Sequence, residues 1–168
     1  MDELILVNLD DKAIGSMSKE EAHRLGRLHR AFSVFIVSDG KMLIQKRNRN
    51  KYHSGGLWAN ACCSHPRRGE TLSEATERRL KEELGFSCPL TELFSFVYYS
   101  QYREDLAEYE YDHVFIGEYS GEVAFDPDEI EEIRWIGLDE LRDEMLRCPQ
   151  QFASWFMIAA PGVLKRLS

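Results

Sequence analysis

The chain of 168 residues has little that would tie it to a membrane, to nucleic acid or to secretion. It contains no apolar run near the roughly 20 residues that a membrane-spanning helix needs. Its start, MDELILVNLDD, lacks the basic segment that opens a secretory signal peptide. The net charge of −8 argues against a nucleic-acid-binding protein, since such proteins normally present a basic face. We therefore expect a cytoplasmic protein with no membrane, nucleic-acid or obligate protein partner.

Cysteine is also scarce, and the spacing of the four cysteines matches no disulfide framework, so we expect reduced thiols. Two of them are adjacent in NACCSHP (60–66), where His65 follows Cys63 by two residues. Structural zinc sites space their cysteines differently. The segment therefore needs another explanation.

The length of the chain and its lack of repeats and low-complexity linkers predict a single domain, residues 1–168, and the sequence pattern predicts mixed strands and helices. The clearest hairpin is AFSVFIVSDGKMLIQKR (31–47), where Asp39-Gly40 suits a tight turn. Because strands and helices do not alternate regularly, we predict an α+β sandwich. Further strands are predicted at 4–9, 92–102, 109–119 and within 131–138, and further helices at 139–148 and from 150 to Pro161-Gly162.

The clearest helix covers residues 71–86. Thr71 and Glu74 form a capping box, and Gly85 stands where a helix end favours a positive φ. Arg79 and Glu83 share one helical face with Glu82, which could hold a metal-bridged phosphate. An ordinary ion-paired surface is the alternative. The same two interpretations, anion clamp or solubilising surface, apply to the basic residues Lys46, Arg47, Arg49 and Lys51.

Histidines and carboxylates suited to metal binding occur in three short segments. His23 and His29 lie six residues apart, which turns an α-helix by about 600° and prevents a shared face. They can bind one ion only if the chain bends near Gly26, and two surface histidines remain the alternative.

The other two segments place candidate ligands at i and i+2, on one side of an extended chain. They are Cys63 with His65, which Pro66 favours in an extended conformation, and Glu108 with Glu110 in EYEYDHVF. A structural thiol and a solvated acidic edge are the alternatives. If the segments meet, three imidazoles and two carboxylates suit an octahedral Mn²⁺ or Mg²⁺, or a catalytic Zn²⁺.

Residues 69–86, GETLSEATERRLKEELGF, resemble the Nudix box. Most of its positions fit, but Ala75 and Arg79 replace two of its glutamates, the second of which is normally a metal ligand in Nudix hydrolases. The resemblance therefore implies a Nudix-type α/β/α sandwich with a mixed sheet. Hydrolysis of a nucleoside diphosphate derivative remains the alternative function.

Five segments taken in order, LHRAFSVFIV, LWANACCSHP, RRLKEELG, EYEYDHVF and SWFMIAA, resemble the type I isopentenyl-diphosphate isomerase family. The resemblance extends from about residue 3 to 165. It implies metal-dependent 1,3-allylic proton transfer that interconverts isopentenyl and dimethylallyl diphosphate through a tertiary carbocation. A non-catalytic metal- or redox-sensing domain is a third, separate interpretation, suggested by the adjacent cysteines.

The resemblance also implies roles for individual residues. Cys63 matches the catalytic thiol, which we expect to be a thiolate with a pKa lowered by nearby cations, whereas Cys62 packs. Tyr98 matches the tyrosine beside the catalytic Glu110, and Trp155 matches the indole over the carbocation. The remaining matches are His23, His29, His65, Glu108 and Glu110 as ligands of one divalent metal, Glu83 with the Cys63 carbonyl as ligands of a Mg²⁺ on the substrate diphosphate, and Lys19, Arg47, Lys51 and Arg79 as diphosphate-binding groups.

Overall fold

The computed structural model describes residues 2–51 and 54–167. In chain order its elements are β1 (Glu3–Val7), β2 (Ala13–Ser18), α1 (Lys19–Leu25), β3 (Leu28–Ser38), β4 (Lys41–Arg47), β5 (Trp58–Asn60), β6 (Cys62–Ser64), α2 (Leu72–Leu84), β7 (Leu90–Arg103), β8 (Leu106–Glu118), β9 (Ile130–Gly137), α3 (Leu138–Arg147), a 3₁₀ turn (Pro149–Gln151) and α4 (Ser154–Leu167). None of the helices in these ranges is long and apolar enough to cross a membrane.

Strand β3 holds the mixed sheet together. It pairs in parallel with β8, from Leu28 opposite Tyr109 to Val37 opposite Glu118. Its other neighbours, β1, β4 and β6, are antiparallel. On its other side, β8 pairs with β7 in antiparallel orientation. Strand β4 pairs with β5 and β9. The predicted mixed sheet is confirmed.

Helices cover both faces of this sheet. Because successive strand side chains point to opposite faces, β3 contributes to two cores. Phe32 and Val34 pack in one core with Leu80 of α2. Phe35 packs in the other with Phe156 of α4, and its ring stacks on Phe156 at 5.9 Å between centroids. The predicted α+β sandwich of the α/β/α type is confirmed.

Two local predictions are confirmed in detail. The hairpin turn between β3 and β4 has positive φ at both Asp39 (50°) and Gly40 (72°). Helix α2 begins with the capping box, since the Glu74 N–H donates to Thr71 Oγ1 at 3.1 Å and the Thr71 N–H donates to Glu74 Oε1 at 3.0 Å. It ends at Gly85 in the left-handed conformation.

The prediction for the last helix is wrong at both ends. Helix α4 begins at Ser154 rather than near residue 150, and it continues through Pro161. Proline inside a helix removes one backbone hydrogen bond, so other contacts must stabilise this turn. Helix α4 packs closely on β7 next to Pro161, and this packing is one such contact. A Cβ added at Gly162 would lie only 3.0 Å from the Phe94 ring of β7.

Candidate active site

A cavity contains most of the predicted site residues, which come from three helices, three strands of the sheet and two connecting segments. The predicted residues that line it are Lys19, Arg47, Lys51, Cys63, His65, Arg79, Glu83, Glu108, Glu110 and Trp155. The others, His23, His29 and Tyr98, are buried beside it. Unpredicted residues also line it: Phe32, Ser33, Gln45, Ser64, Asp112 and Glu129.

One end of the site is a cluster of His23, His29, His65 and Glu110, whose ligand atoms all lie within 4.8 Å of one another. Glu110 Oε2 lies 2.9 Å from His65 Nε2 and 3.4 Å from His29 Nε2. Helix α1 stops at Gly26, with φ at 65°, and β3 starts two residues later. This bend brings the rings of His23 and His29 to 5.3 Å. The spacing of six residues is therefore compatible with one shared site.

Sheet register places the ligands of this cluster. His29 lies opposite Glu110 in the parallel β3–β8 pairing. Strand β6 pairs on the other side of β3, with Cys63 opposite Ser33, and carries the chain directly to His65. One strand thus aligns side chains from three distant parts of the sequence.

The donor set fits a divalent metal ion. Burial lowers the pKa of His23 to about 3, so its imidazole is neutral and can donate a lone pair at neutral pH. For His29, burial acts to lower the pKa, but the hydrogen bond and charge of Glu110 outweigh it and raise the pKa. Three imidazoles with a carboxylate suit a divalent transition-metal ion, and carboxylate donors also suit Mg²⁺.

Glu108 is buried but does not belong to the cluster of four. Its Oε2 accepts the hydroxyl hydrogen of Tyr98 at 2.8 Å. Tyr98 lies opposite Glu110 in the β7–β8 register, next to the glutamate that the resemblance implied, but its hydroxyl binds the other carboxylate. Tyr98 therefore contacts Glu108 through its side chain and lies beside Glu110 through strand pairing.

The two adjacent cysteines have different surroundings. Cys63 lines the cavity, and its thiol donates to Asn60 Oδ1 at 3.1 Å. Cys62 is fully buried in the core that α2 covers, with its Sγ at 3.6 Å from Glu83 Oε2. The alternation expected of an extended segment thus places one thiol in the cavity and the other in the protein interior.

The expectation of a thiolate at Cys63 is wrong for this arrangement of residues. Burial raises the pKa of the Cys63 thiol above its ordinary value, and the carboxyl of Asp112 adds to the effect. Arg47 acts in the opposite direction but does not compensate. Burial depends on tertiary packing, so the basic segment alone gave the wrong direction for this pKa shift.

The other end of the cavity is cationic. Arg79 Nη2 donates to Glu83 Oε2 at 2.6 Å, so both residues of α2 face the cavity. The Arg47 guanidinium lies 5.0 Å from the ring centroid of Trp155. Burial lowers the pKa of Lys19, and the nearby charge of Lys51 lowers it further. This end can bind an anionic group.

The basic segment between residues 46 and 51 is divided between two environments. Arg47 and Lys51 line the cavity. Lys46 and Arg49 instead pair with Glu131, at 3.5 and 2.9 Å, outside the cavity lining. Half of the cations of this segment thus face the cavity, and the other half form ion pairs outside it.

Sequence reasoning missed several polar residues of the site. Asp112 follows Glu110 by two residues on the same strand face, a signal that could have identified it. Its Oδ2 accepts the Ser33 hydroxyl at 2.9 Å, and burial followed by the Glu110 charge raises its pKa. Asn60 lies within the quoted cysteine segment, but no sequence pattern shows that its side chain bonds Cys63.

The fold defines the class of protein. The family model described as NUDIX domain matches residues 27–156. The structure is similar to a crystal structure of a Deinococcus radiodurans protein, with a TM-score of 0.72, 24% identity and coverage of 88% of this chain and 90% of the other. A MutT NUDIX hydrolase from Burkholderia pseudomallei gives a TM-score of 0.66 at 24% identity over 84% of this chain and 98% of the other. The chain is a Nudix protein.

Curated relatives narrow the family further. The chain is 48% identical over 158 residues to an isopentenyl-diphosphate Delta-isomerase 2 from Photorhabdus laumondii, covering 93% of this chain and 89% of the relative. It is 47% identical over 163 residues to an isopentenyl-diphosphate Delta-isomerase from Burkholderia multivorans, covering 95% and 93%. The chain belongs to the isopentenyl-diphosphate Delta-isomerase family, which confirms the resemblance and favours it over the hydrolase and sensor alternatives.

Proposed function

We propose that the protein interconverts isopentenyl diphosphate and dimethylallyl diphosphate by metal-dependent 1,3-allylic proton transfer. The observation that carries this proposal is the composition of one cavity: the thiol of Cys63, the carboxyl group of Glu110 and the indole of Trp155 line it together with four cationic side chains. Its relatives bear the name of this isomerase, which supports the same reaction. A diphosphate would occupy the cationic end and direct its five-carbon chain towards Cys63 and Trp155.

We assign the diphosphate to Lys19, Arg47, Lys51 and Arg79. Guanidinium groups form paired, charge-assisted hydrogen bonds with phosphate oxygens, and lysine adds a compact charge. Glu83, beside Arg79 and buried, is assigned with the carbonyl of Cys63 to a Mg²⁺ that accompanies the diphosphate.

A second divalent ion, Mn²⁺, Mg²⁺ or Zn²⁺, is assigned to His23, His29, His65 and Glu110, with Glu108 as the fifth residue. When bound, the two ions supply positive charge next to Glu110 and next to the diphosphate. Tyr98 holds the Glu108 carboxylate through its hydroxyl. The hydroxyl thereby keeps a second acidic group near Glu110.

We assign the two proton transfers to Cys63 and Glu110. One group delivers a proton to the terminal alkene carbon. The other accepts a proton from the CH2 group next to the double bond on the diphosphate side. The double bond therefore moves without net change in the number of protons. The two groups exchange roles between the two directions of the reaction. Burial raises the pKa of the Cys63 thiol, whereas the charge of Arg47 acts in the opposite direction and would stabilise a thiolate formed during the reaction.

The tertiary cation between the two transfers must be stabilised and kept from water. Trp155 is buried and lines the cavity, so its π face can attract the cation by about 2 kcal/mol. Arg47 already lies over this ring, which ties the indole to the diphosphate-binding group. The same indole therefore contacts a proposed diphosphate-binding residue and Cys63.

Incubation with isopentenyl diphosphate and Mg²⁺ in D₂O tests the proposal. We expect dimethylallyl diphosphate that carries solvent deuterium, detected by NMR and mass spectrometry. Absence of both product and deuterium with Mg²⁺ and Mn²⁺ supplied would overturn it. Phosphate release from a panel of nucleoside diphosphate derivatives in a parallel incubation would instead support the hydrolase alternative.

A further inference from the structure

Glu129, in the turn that precedes β9, places a carboxylate at the cationic end of the cavity. Its Oε2 forms an ion pair with Lys51 Nζ, and its Oε1 lies 3.8 Å from Arg79 Nη2. The side chains of Glu129, Lys51 and Arg79 are only 29%, 24% and 20% exposed. One carboxylate thus bridges two largely buried cations.

The main chain around Glu129 is itself anchored. Its carbonyl accepts the N–H of Asn48 at 3.1 Å, and its N–H donates to the carbonyl of Asp126 at 3.0 Å. Burial acts to raise the pKa of Glu129, but the hydrogen bond from Lys51 and the charges of Lys51 and Arg79 hold it below its usual value. Glu129 is therefore an ionised group on a fixed backbone.

We propose that Glu129 is a positioning residue of the diphosphate site, which holds Lys51 and Arg79 side by side and oriented for the substrate. The inference rests on the proposed function and adds a residue that no motif assigns. Two neighbouring cations repel each other, and a carboxylate with one oxygen directed at each offsets this repulsion. Preorganised donors bind an anion more tightly because less ordering remains to be done on binding.

The bridge leaves both cations able to bind an anion. An ammonium group has three N–H donors and a guanidinium has five. Arg79 also donates to Glu82 at 2.9 Å and to Glu83 at 2.6 Å, and these contacts together with Glu129 still leave N–H groups available. Nε of Arg79 is buried and makes no hydrogen bond to any residue within the described ranges. The carboxylate therefore fixes the positions of the cations without exhausting their donors.

Glu129→Gln tests the inference, with Glu131→Gln as the matched control, because Glu131 bridges Lys46 and Arg49 outside the cavity lining. Binding of inorganic pyrophosphate with Mg²⁺ is measured by calorimetry, and KM and kcat are measured for isopentenyl diphosphate. For Glu129→Gln we expect a Kd and a KM about tenfold higher, corresponding to about 1.4 kcal/mol, with kcat within about twofold. Bound metal at the histidine cluster stays unchanged, and Glu131→Gln behaves as the wild type.

Glu129→Asp is the second variant, and it decides the question if Glu129→Gln does not fold. It keeps the charge but withdraws it by one methylene, so we expect a Kd raised by at least about threefold. Unchanged or tighter pyrophosphate binding in either folded variant would overturn the inference, since the carboxylate would then merely compete with the anion. If the wild type binds pyrophosphate but forms no isomer, the proposed function fails while the binding comparison still tests Glu129.

Discussion

The indole Nε1 of Trp155 lies 2.9 Å from the Sγ of Cys63. Both groups also contact the same oxygen, Oδ1 of Asn60, at 3.1 Å each. Asn60 is itself fixed, because its amide donates to the backbone carbonyls of Val34 and Cys62. The proposed proton-transfer thiol and the proposed cation-stabilising indole are therefore held as one unit, which restricts both to a single orientation.

The two cysteines should differ sharply in function. Cys63→Ala should fold and retain metal but lose about 10²–10⁴-fold in kcat, because it removes a general acid–base group. Cys62→Ala should lose modest stability and keep most of the turnover, because Cys62 packs as a small apolar group. Steady-state kinetics and bound metal are measured for both variants. Loss of activity in Cys62→Ala alone, or full activity in both, would contradict the assignment.

Metal content should depend on the cluster of four ligands. His65→Ala or His23→Ala should lower metal affinity by at least about 10–100-fold, because even outer groups around a metal have effects of this size. His113→Ala is the control, since His113 binds Asp11 and Glu92 instead. Affinity is measured by competition with a chelator. Wild-type metal stoichiometry in both cluster variants would refute the shared site.

Removing a cation of the diphosphate site should weaken substrate binding. Arg47→Ala and Arg79→Ala each remove charge-assisted hydrogen bonds worth about 1.5–3 kcal/mol, so KM should rise at least tenfold. Arg49→Ala is the control, because it removes the same charge from a residue that pairs with Glu131 outside the cavity lining. This variant should leave KM unchanged. Equal KM values in all three variants and the wild type would rule out the assigned clamp.

The raised pKa of Cys63 predicts a specific pH dependence for alkylation of the metal-free protein. Only the thiolate reacts with iodoacetamide, and below its pKa the thiolate fraction grows tenfold per pH unit. Carboxamidomethylation of Cys63 should therefore be slow at pH 8 and keep rising beyond pH 9. Arg47→Ala should slow it further, because Arg47 is the charge that lowers this pKa. Peptide mass spectrometry gives the rates, and rapid labelling at pH 7 would contradict the prediction.

Local sequence signals predicted local structure well. Asp39-Gly40 specified its turn and Thr71 with Glu74 specified the start of α2, since each depends on a few neighbouring residues. The alternation from Cys63 to His65 likewise followed from an extended chain. Helix α4 was predicted less well, because the sequence does not show that α4 packs on β7 next to Pro161.

Site residues that belong to a sequence motif could be predicted. Those whose role depends only on tertiary contacts could not. His23 and His29 needed a bend, and Gly26 indicated where it lies. Asn60 and Glu129 gave no signal, because each acquires its role from residues distant in the sequence. The direction of the Cys63 pKa shift was predicted wrongly for the same reason, since the burial of Cys63 results from the folded sheet and α4.

The register that places His29 opposite Glu110 would give an ion bound at this cluster a role in holding the chain together. Side chains alternate along a strand, so a slip of one residue between β3 and β8 would present Tyr109 or Tyr111 to the histidines instead. An ion at this cluster would therefore favour only the correctly paired chain and act as a non-covalent cross-link. At a free metal concentration 100 times Kd, it would add about 2.7 kcal/mol to the free energy of unfolding. Metal supply would then set how long the protein survives heat and proteolysis.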